Sequence, residues 1–483
     1  METVNATSPS IPTANVSPVH GDSAFGNWFG RIVAGELSNV AFVLFVLANG
    51  VLFIRPMDIV PRLENWPVFG VLSGLCLIFS FRQMLDHLTW RSLRVNPITA
   101  CVILLLPAVI LSQLAHLRVS AAINSGGDFF RWIFYYLLLV AVIDSPQRLR
   151  RFLWFVGFCA FVHIGLAVLQ QRFIIDLAAM RPVEEQKLAA TAGEIITQYR
   201  MCGAGLFHDP NDLAVLAATT MMLCLYPIID GAGMRGRARW THSALAAIAL
   251  MVCGYGLLLT QSRGGFLALL AGLGAFFFAR FGWKKSIVLG AIALPVILIL
   301  FSGRQTDIHM MRRTTTQLRL KFWVEGLSFF TQSPLFGIGQ GNFLKLQGYV
   351  AHNSFVHCFA ELGFLGGTLF LGAFFLAVWP IFWMQFNRSA FDHEVHDIEL
   401  DHLRPYLFAM LCTWVAGMMS LSRSYVPPTY MMLGLAAVLI CLVIPATSPS
   451  RPRINRTLIL QLLGLSFAFL GGVFVFVHLF KRN

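Results

Sequence analysis

Long apolar runs leave this chain few folds. They lie near 36–54, 67–82, 97–114, 129–144, 152–170, 212–230, 243–260, 264–280, 286–302, 354–385, 405–422, 427–446 and 457–479. A helix needs about 20 apolar residues to cross the hydrocarbon core. Several runs are nearer to about 16, so the expected count is about 12 to 13 transmembrane helices. Lipid offers the backbone no hydrogen-bond partners, so a spanning segment must be a helix or part of a closed barrel. The expectation is an all-α, polytopic integral membrane helix bundle. Composition agrees: 57% of residues are hydrophobic and 12% charged, with a mean hydropathy of +0.69.

Lys and Arg in short loops set the orientation. With the N-terminus inside, the inner loops hold Arg82, Arg91 and Arg94; Arg148, Arg150 and Arg151; Arg235, Arg237 and Arg239; Arg280, Lys284 and Lys285; Arg451, Arg453 and Arg456. The short outer loops hold only Arg55, Arg62, Arg118, Arg131, Arg263 and Arg423. This asymmetry accounts for most of the +13 net charge, so the charge is not a nucleic-acid signal. Thirteen spans would place Lys481 and Arg482 outside. Either one span is not real or that pair is tolerated there.

Eight cysteines (Cys76, Cys101, Cys159, Cys224, Cys253, Cys358, Cys412 and Cys441) fall in apolar spans, where Cys acts as a small hydrophobe. Cys202 falls in a loop. No Cys-x-x-Cys pair occurs, so neither a zinc site nor a disulfide is expected. Residues 1–35 are polar and read as a flexible tail, not a cleaved signal peptide.

The expected organisation is a tail at 1–35, spans over 36–170, an outer loop at 171–211, spans over 212–302, a large outer loop at 303–353, and spans over 354–479. The first loop carries a mixed-charge stretch, Glu184 to Glu194, that reads as a short surface helix. The second carries an amphipathic helix. Thr314-Thr-Thr316 is its N-cap candidate and Pro334 its stop, and Leu320, Trp323, Val324 and Leu327 repeat at helical spacing. Such a helix lies on the membrane and shapes a cleft, or it caps the bundle. The inner loop 386–404 interleaves Asp and Glu with His393, His396 and His402. A solvated acidic loop is the reading favoured there over a metal site.

Three polar motifs interrupt this apolar background, and all three fall outside. The first is Gln261-Ser-Arg-Gly-Gly265, which joins two spans with almost no loop. It holds Arg263 at the membrane surface. A guanidinium is always charged and presents a planar fork suited to phosphate oxygens. The glycines, Gly264 in particular, would let a headgroup approach the backbone. An arginine that merely snorkels is the alternative. The second motif is Arg200 to Asn211, with Phe207-His-Asp-Pro-Asn211 at its end. Asn211 is the expected N-cap of the next span, Arg200 a second cation for a diphosphate, and the role of His208 is open. The third is Gly337-Ile-Gly-Gln-Gly-Asn-Phe343 followed by Ala351-His-Asn353. It lacks the βαβ context of a nucleotide loop, and a tight re-entrant turn fits better. His352 titrates near neutrality and suits general-base or orienting work on a hydroxyl. Asn353 would hold its ring or cap the helix. Glu361, about 13 Å further along that helix, should lie deeper and be paired.

Outward arginines suit a lipid-linked diphosphate, which is also a leaving group whose developing charge they would stabilise. With a histidine beside an acceptor hydroxyl, the set reads as glycosyl transfer from a polyprenyl diphosphate. No outer acidic cluster offers a metal site, so neither metal nor other cofactor is expected.

At these residues the chain resembles the superfamily of O-antigen ligases and O-antigen polymerases, bacterial cell-envelope glycosyltransferases. The match rests on Ser262-Arg-Gly-Gly265, Phe207-His-Asp-Pro-Asn211, Arg319 with Trp323, Pro334 to Phe343, His352-Asn353, and Glu361-Leu-Gly-Phe-Leu-Gly366, in order across roughly residues 200–380. The first five spans add only hydrophobicity and count. The resemblance implies about twelve helices and a large periplasmic loop before the histidine helix. It also implies an inner-membrane location with the site facing the periplasm, an undecaprenyl-diphosphate-linked glycan donor, and metal-independent transfer to a sugar hydroxyl. The acceptor would be lipid A-core or a lipid-linked repeat, with membrane lipids around the site and no nucleic acid partner. Arg263 and Arg200 would match the family's diphosphate-binding arginines and His352 its essential histidine. Arg319 would add a third basic contact, with Ser262, Gly264, Asn353 and His208 also lining the substrate site. Ligase and polymerase members share these motifs. A flippase of lipid-linked sugars is the rival from another class, but no two similar halves appear.

Overall fold

The computed structural model describes residues 21–63, 66–188, 195–231, 235–300, 316–386 and 397–481. Residues 1–20 of the expected tail lie outside these residues, as do Thr314, Thr315, His393 and His396, while residues 21–35 are not a loose tail but the first turns of a helix that runs on into the first span.

The apolar runs become helices. In chain order these are α1 Gly21–Ile54, α2 Val68–Leu88, α3 Pro97–Leu114, α4 Val119–Val142, α5 Pro146–Gln171, α6 Pro210–Ile229, α7 Gly236–Thr260, α8 Arg263–Leu300, α9 Thr316–Gln332, α10 Asn342–Gln347, α11 Ser354–Phe386, α12 Ile398–Met418, α13 Pro427–Val443 and α14 Arg456–Lys481. Among the described residues, nine helices are long and apolar enough to cross a membrane, and α13 is a shorter apolar helix. This is an all-α polytopic membrane bundle.

Two differences from the expected spans have simple causes. The runs at 264–280 and 286–302 share one helix, α8, which bends at Gly282, where φ is 76° and ψ is 168°. At about 1.5 Å per residue α8 is far longer than a bilayer is thick, and glycine permits the bend. The run at 129–144 is the inner part of α4, which starts at Val119. Its early turns are polar (Ser120, Asn124, Ser125, Asp128), so hydropathy alone passes over them.

Within the bundle, α8 packs on α12 and α6 on α7, and α6 also contacts α8 and α12. Small residues set this spacing. A Cβ on Gly265 would lie 2.3 Å from the Ala214 Cβ, and one on Gly272 would lie 2.0 Å from the Thr413 hydroxyl. Close backbone approach of this kind drives helix association where lipid competes for apolar surface. A second, smaller core forms under α9: Leu320, Trp323, Val324 and Leu327 pack around Phe329, Phe343, Val356 and Val473. The predicted apolar stripe of α9 therefore faces the bundle and α14.

The expected surface helix at 184–194 is instead a β-hairpin in its described part. Strand β1 (Val183–Leu188) pairs antiparallel with β2 (Ile195–Arg200), Val183 opposite Arg200. The β-branched run Ile195-Ile196-Thr197 favours the extended state. Cys202, expected in a loop, is buried there and donates to the Arg181 carbonyl at 2.9 Å.

Far from the motifs, charged loops pair among themselves. Arg280 bonds Asp230 at 2.6 Å, Tyr406 donates to Asp230 at 2.7 Å, and Arg150 pairs with Glu399. Asp397 caps α12 through the Glu399 and Leu400 N–H groups, so the described end of the 386–404 loop is structural.

Candidate functional site

The loops that carry the three motifs meet at one end of the bundle, and Asn211 ties the first two together. Its Oδ1 accepts from Arg200 Nη2 at 3.1 Å and from the Ser262 hydroxyl at 2.7 Å. Asn211 is not the N-cap expected from its place. Helix α6 starts one residue earlier, at Pro210, and Asp209 caps it, its Oδ1 accepting from the Asn211 N–H at 2.7 Å. Proline at the first helical position puts the cap at Asp209, two residues before Asn211, and frees the Asn211 amide to bridge.

Arg200 stands at the end of β2. Its Nε donates to the Thr260 carbonyl at 3.0 Å, and its Nη1 lies 3.6 Å from the Glu185 carboxylate. These contacts aim it and brace the hairpin against the end of α7. Ser262, fully buried, caps α8 by accepting from the Gly265 N–H at 3.1 Å. Arg263 follows as the first residue of α8. The space that Gly264 clears is taken by protein: its Cβ would lie 2.3 Å from the Ser420 hydroxyl. Gly264 is thus required for helix packing, not for approach of a headgroup. His208 is exposed, with its backbone closing the turn at Gly205.

The third motif folds as a tight turn wedged into a break in α11. Helix α11 is interrupted at Gly363 (φ 64°, ψ −162°). The turn supplies the missing partners. The Ile338 and Gly339 N–H groups donate to the Ala360 and Glu361 carbonyls at 3.0 Å each, and the Phe364 N–H donates to the Pro334 carbonyl at 2.7 Å. Gly337 has φ 72°, and a Cβ there would lie 2.3 Å from the Glu361 carbonyl carbon, so no other residue fits. Glu361 is fully buried and paired, as expected. Its Oε1 accepts from the Phe343 N–H at 3.1 Å, and His357 lies 3.3 Å from its Oε2.

The first spans contribute more than hydrophobicity, which corrects the sequence reading. Gln113 Nε2 donates to the Gln340 carbonyl at 2.6 Å, His116 Nε2 lies 2.8 Å from the Gly337 carbonyl, and Arg118 donates to the Ile338 carbonyl at 3.2 Å. These side chains at the end of α3 clamp the glycine turn. The signal was the polar cluster Gln113-Leu-Ala-His116-Leu-Arg118 ending an otherwise apolar run.

His352 sits just before α11 with φ 50°, a left-handed conformation that is costly for a residue with a Cβ. Asn353, fully buried, caps α11 through the Phe355 and Val356 N–H groups at 3.0 and 3.2 Å. It does not hold the ring. The His352 ring packs 5.7 Å from Phe322 of α9, which stacks 4.0 Å from Tyr349, and the Tyr349 hydroxyl donates to Glu325. So α9 covers the histidine and presents Arg319 to it. Burial, then the Arg319 charge, hold the His352 imidazole below its ordinary pKa. Burial, then the Arg263 charge, lower the Arg319 pKa, with Asp209 acting the other way.

Arg423, which the sequence marked only as an outer-loop charge, completes the ring. It forms a two-pronged bond with Asp212 on α6, with Nε to Oδ1 at 2.5 Å. Its N–H donates to the Ser354 hydroxyl at 2.8 Å, beside His352. This Asp pairing raises the Arg423 pKa against the opposing effect of burial. The signal was an arginine between prolines and an apolar run, in a loop too short to reach solvent freely.

The ring thus holds Arg263, Arg319, Arg423 and His352, with Asp209 and Asp212 as counter-charges. Electropositive, half-buried and flanked by one neutral-leaning imidazole, it suits an anion beside a hydroxyl. No curated protein matches the chain. Residues 246–371, which contain Arg263, Arg319, the glycine turn and His352, match the family model described as O-antigen ligase, and this match supports placing the chain in the O-antigen ligase and polymerase superfamily.

Proposed function

We propose that the protein transfers a glycan from an undecaprenyl-diphosphate-linked donor to a sugar hydroxyl on the periplasmic side of the inner membrane, in O-antigen or exopolysaccharide assembly. The observation that carries this reading is that α9 brings Arg319 within reach of both Arg263, at the start of α8, and His352, before α11, so that three separate elements share one charged corner. Two like charges are held near each other beside a histidine whose neutral form is favoured. A diphosphate answers the cations, and a hydroxyl answers the imidazole.

In this reaction the acceptor oxygen attacks the anomeric carbon of the donor sugar. The bond from that carbon to the diphosphate oxygen breaks. The hydroxyl proton passes to His352, and the electron pair of the broken bond stays on the diphosphate. Arg263 and Arg319 stabilise the charge that develops there, while His352 acts as general base. Arg200, pinned by Thr260 and Asn211, supports the same charge from the α6 side.

The test uses purified protein in lipid with a polyprenyl-diphosphate oligosaccharide, supplied either with more donor or with lipid A-core. Products are resolved on a gel for wild type, Arg263→Ala and His352→Ala. A ladder from donor alone assigns a polymerase, and one shifted band requiring lipid A-core assigns a ligase. Arg263→Ala should abolish product while the protein still inserts. His352→Ala should lose turnover more than donor binding. Normal transfer by Arg263→Ala would overturn the reading.

A further inference from the structure

A groove of about 740 Å³ opens between the start of α4 and the glycine turn, on a different face of that turn from α11. Its walls include Arg118, Ser120, Asn124 and Asp128 on one side and Gln340 and Lys345 on the other. Ser120, Asn124 and Asp128 recur at intervals of four, so they share one helix face. That face precedes the apolar run of α4. Helix α4 packs on α3 and is joined to it through residues 115–118, so its first turns run beside the end of α3 that carries Ser112 and Gln113. Ser120, Asn124 and Asp128 are exposed and all three line the groove, which makes this polar face one of its walls.

We propose that this groove is a saccharide subsite, seating sugar units of one of the two glycan substrates. Its volume lies within the range of small-molecule sites, about 300–1,000 Å³. The lining combines hydroxyl, amide and carboxylate groups with the cations Arg118 and Lys345, a mixed set of donors and acceptors that matches sugar hydroxyls. It is less suited to a diphosphate: Arg118 is committed to the Ile338 carbonyl at 3.2 Å, which leaves Lys345 as the second cation of a wall that also carries Asp128, itself 3.4 Å from Arg131. The turn that forms its far wall is rigid. The Gln340 carbonyl accepts from Gln113 at 2.6 Å, and its N–H donates to the Ser112 hydroxyl at 3.2 Å. The same turn bonds Ala360 and Glu361 of α11, the helix that His352 precedes, so a glycan in the groove is registered against the reacting end. Choosing between donor and acceptor glycan rests on the transfer reading above; the saccharide chemistry of the groove does not.

The experiment is maleimide labelling of Asn124→Cys in the full-length protein in lipid, where the native cysteines are buried or half-buried. Labelling rates are measured with core oligosaccharide released from lipid A by mild acid, with glycan released from the lipid-linked donor, and with maltopentaose. One of the first two glycans should slow labelling by about tenfold at saturation, which identifies the source, and maltopentaose should not. A second variant, Ser120→Trp, fills the exposed groove and should raise KM for that same substrate about tenfold with kcat little changed, or about 1.4 kcal/mol. No protection by either glycan, or equal protection by maltopentaose, overturns the subsite. Protection without any transfer by wild type would overturn the transfer reading and keep the groove.

Discussion

The pairing of Arg423 with Asp212 allows fold and function to be separated. Asp212 is a carboxylate on α6 with only 5% of its side chain exposed, and Arg423 keeps 32%. Removing one partner of a buried pair strands the other charge, at a cost of about 3–5 kcal/mol. Because Arg423 is a third exposed, solvent screens the pair and the lower end applies. Arg423→Ala should therefore destabilise the protein by about 3 kcal/mol. Adding Asp212→Asn replaces the stranded charge by a neutral amide and should recover about 1–2 kcal/mol, since the charge costs more to leave unpaired than the amide. The measurement is unfolding in mixed micelles of rising denaturing-detergent fraction, followed by helical circular dichroism, for wild type, both single variants and the double variant. Arg423→Ala within about 0.5 kcal/mol of wild type would refute the reasoning, because a change that small is ordinary for a surface substitution. So would a double variant no more stable than Arg423→Ala. The rescued double variant then tests function: with the ring one cation short, its transfer should stay at least about tenfold slower than wild type, or about 1.4 kcal/mol of barrier.

Two further outcomes follow from the site. The His352 imidazole is held below its ordinary value of 6.5 by burial and then by Arg319. A lowered pKa keeps the base neutral over a wider range, so the acidic limb of kcat/KM should lie below pH 6.5, and Arg319→Gln should move it to higher pH; a limb moving the other way in that variant contradicts the assignment. Gly337→Ala places a Cβ 2.3 Å from the Glu361 carbonyl carbon at φ 72°, whereas Gly348→Ala, at φ 75°, meets nothing within 4 Å. Both incur the left-handed cost of about 1–2 kcal/mol, but only Gly337→Ala should lose distinctly more than that in the same unfolding measurement, and equal losses would count against the wedge in α11.

The bundle was legible because lipid leaves so little choice: long apolar runs must be helices, and α9 showed its stripe and its stop at Pro334. The motifs were legible as residue types, since arginine and histidine at an apolar boundary are expensive. What sequence order concealed was division of labour. Asn211 and Asp209 are both good caps, and only Pro210 at the first helical position decides between them. Gly264 reads equally well as room for ligand or for Ser420. Gln113, His116 and Arg118 act some 220 residues away in sequence, on the carbonyls of Gly337, Ile338 and Gln340. No periodicity encodes that partnership. Arg423 was hidden for the same reason, because its partner Asp212 lies on another helix.

The ring of cations weighs on the stability of the fold. Burial, then the Arg263 charge, disfavours the charged form of Arg319, yet a guanidinium does not deprotonate, so that penalty is carried as lost stability. His352 adds a left-handed backbone to the same corner. A ligand that brings negative charge between the arginines relieves this further than Asp209 does, which ties the site's cost to the fold to its affinity for an anion. Inorganic diphosphate should therefore stabilise wild-type protein against unfolding, by about 2.7 kcal/mol at a hundredfold excess over its Kd. Arg319→Ala should raise the stability of the unliganded protein while abolishing that increment. If Arg319→Ala instead lowers stability without diphosphate, the arginine serves the fold, and the anion must be sought elsewhere along the bundle.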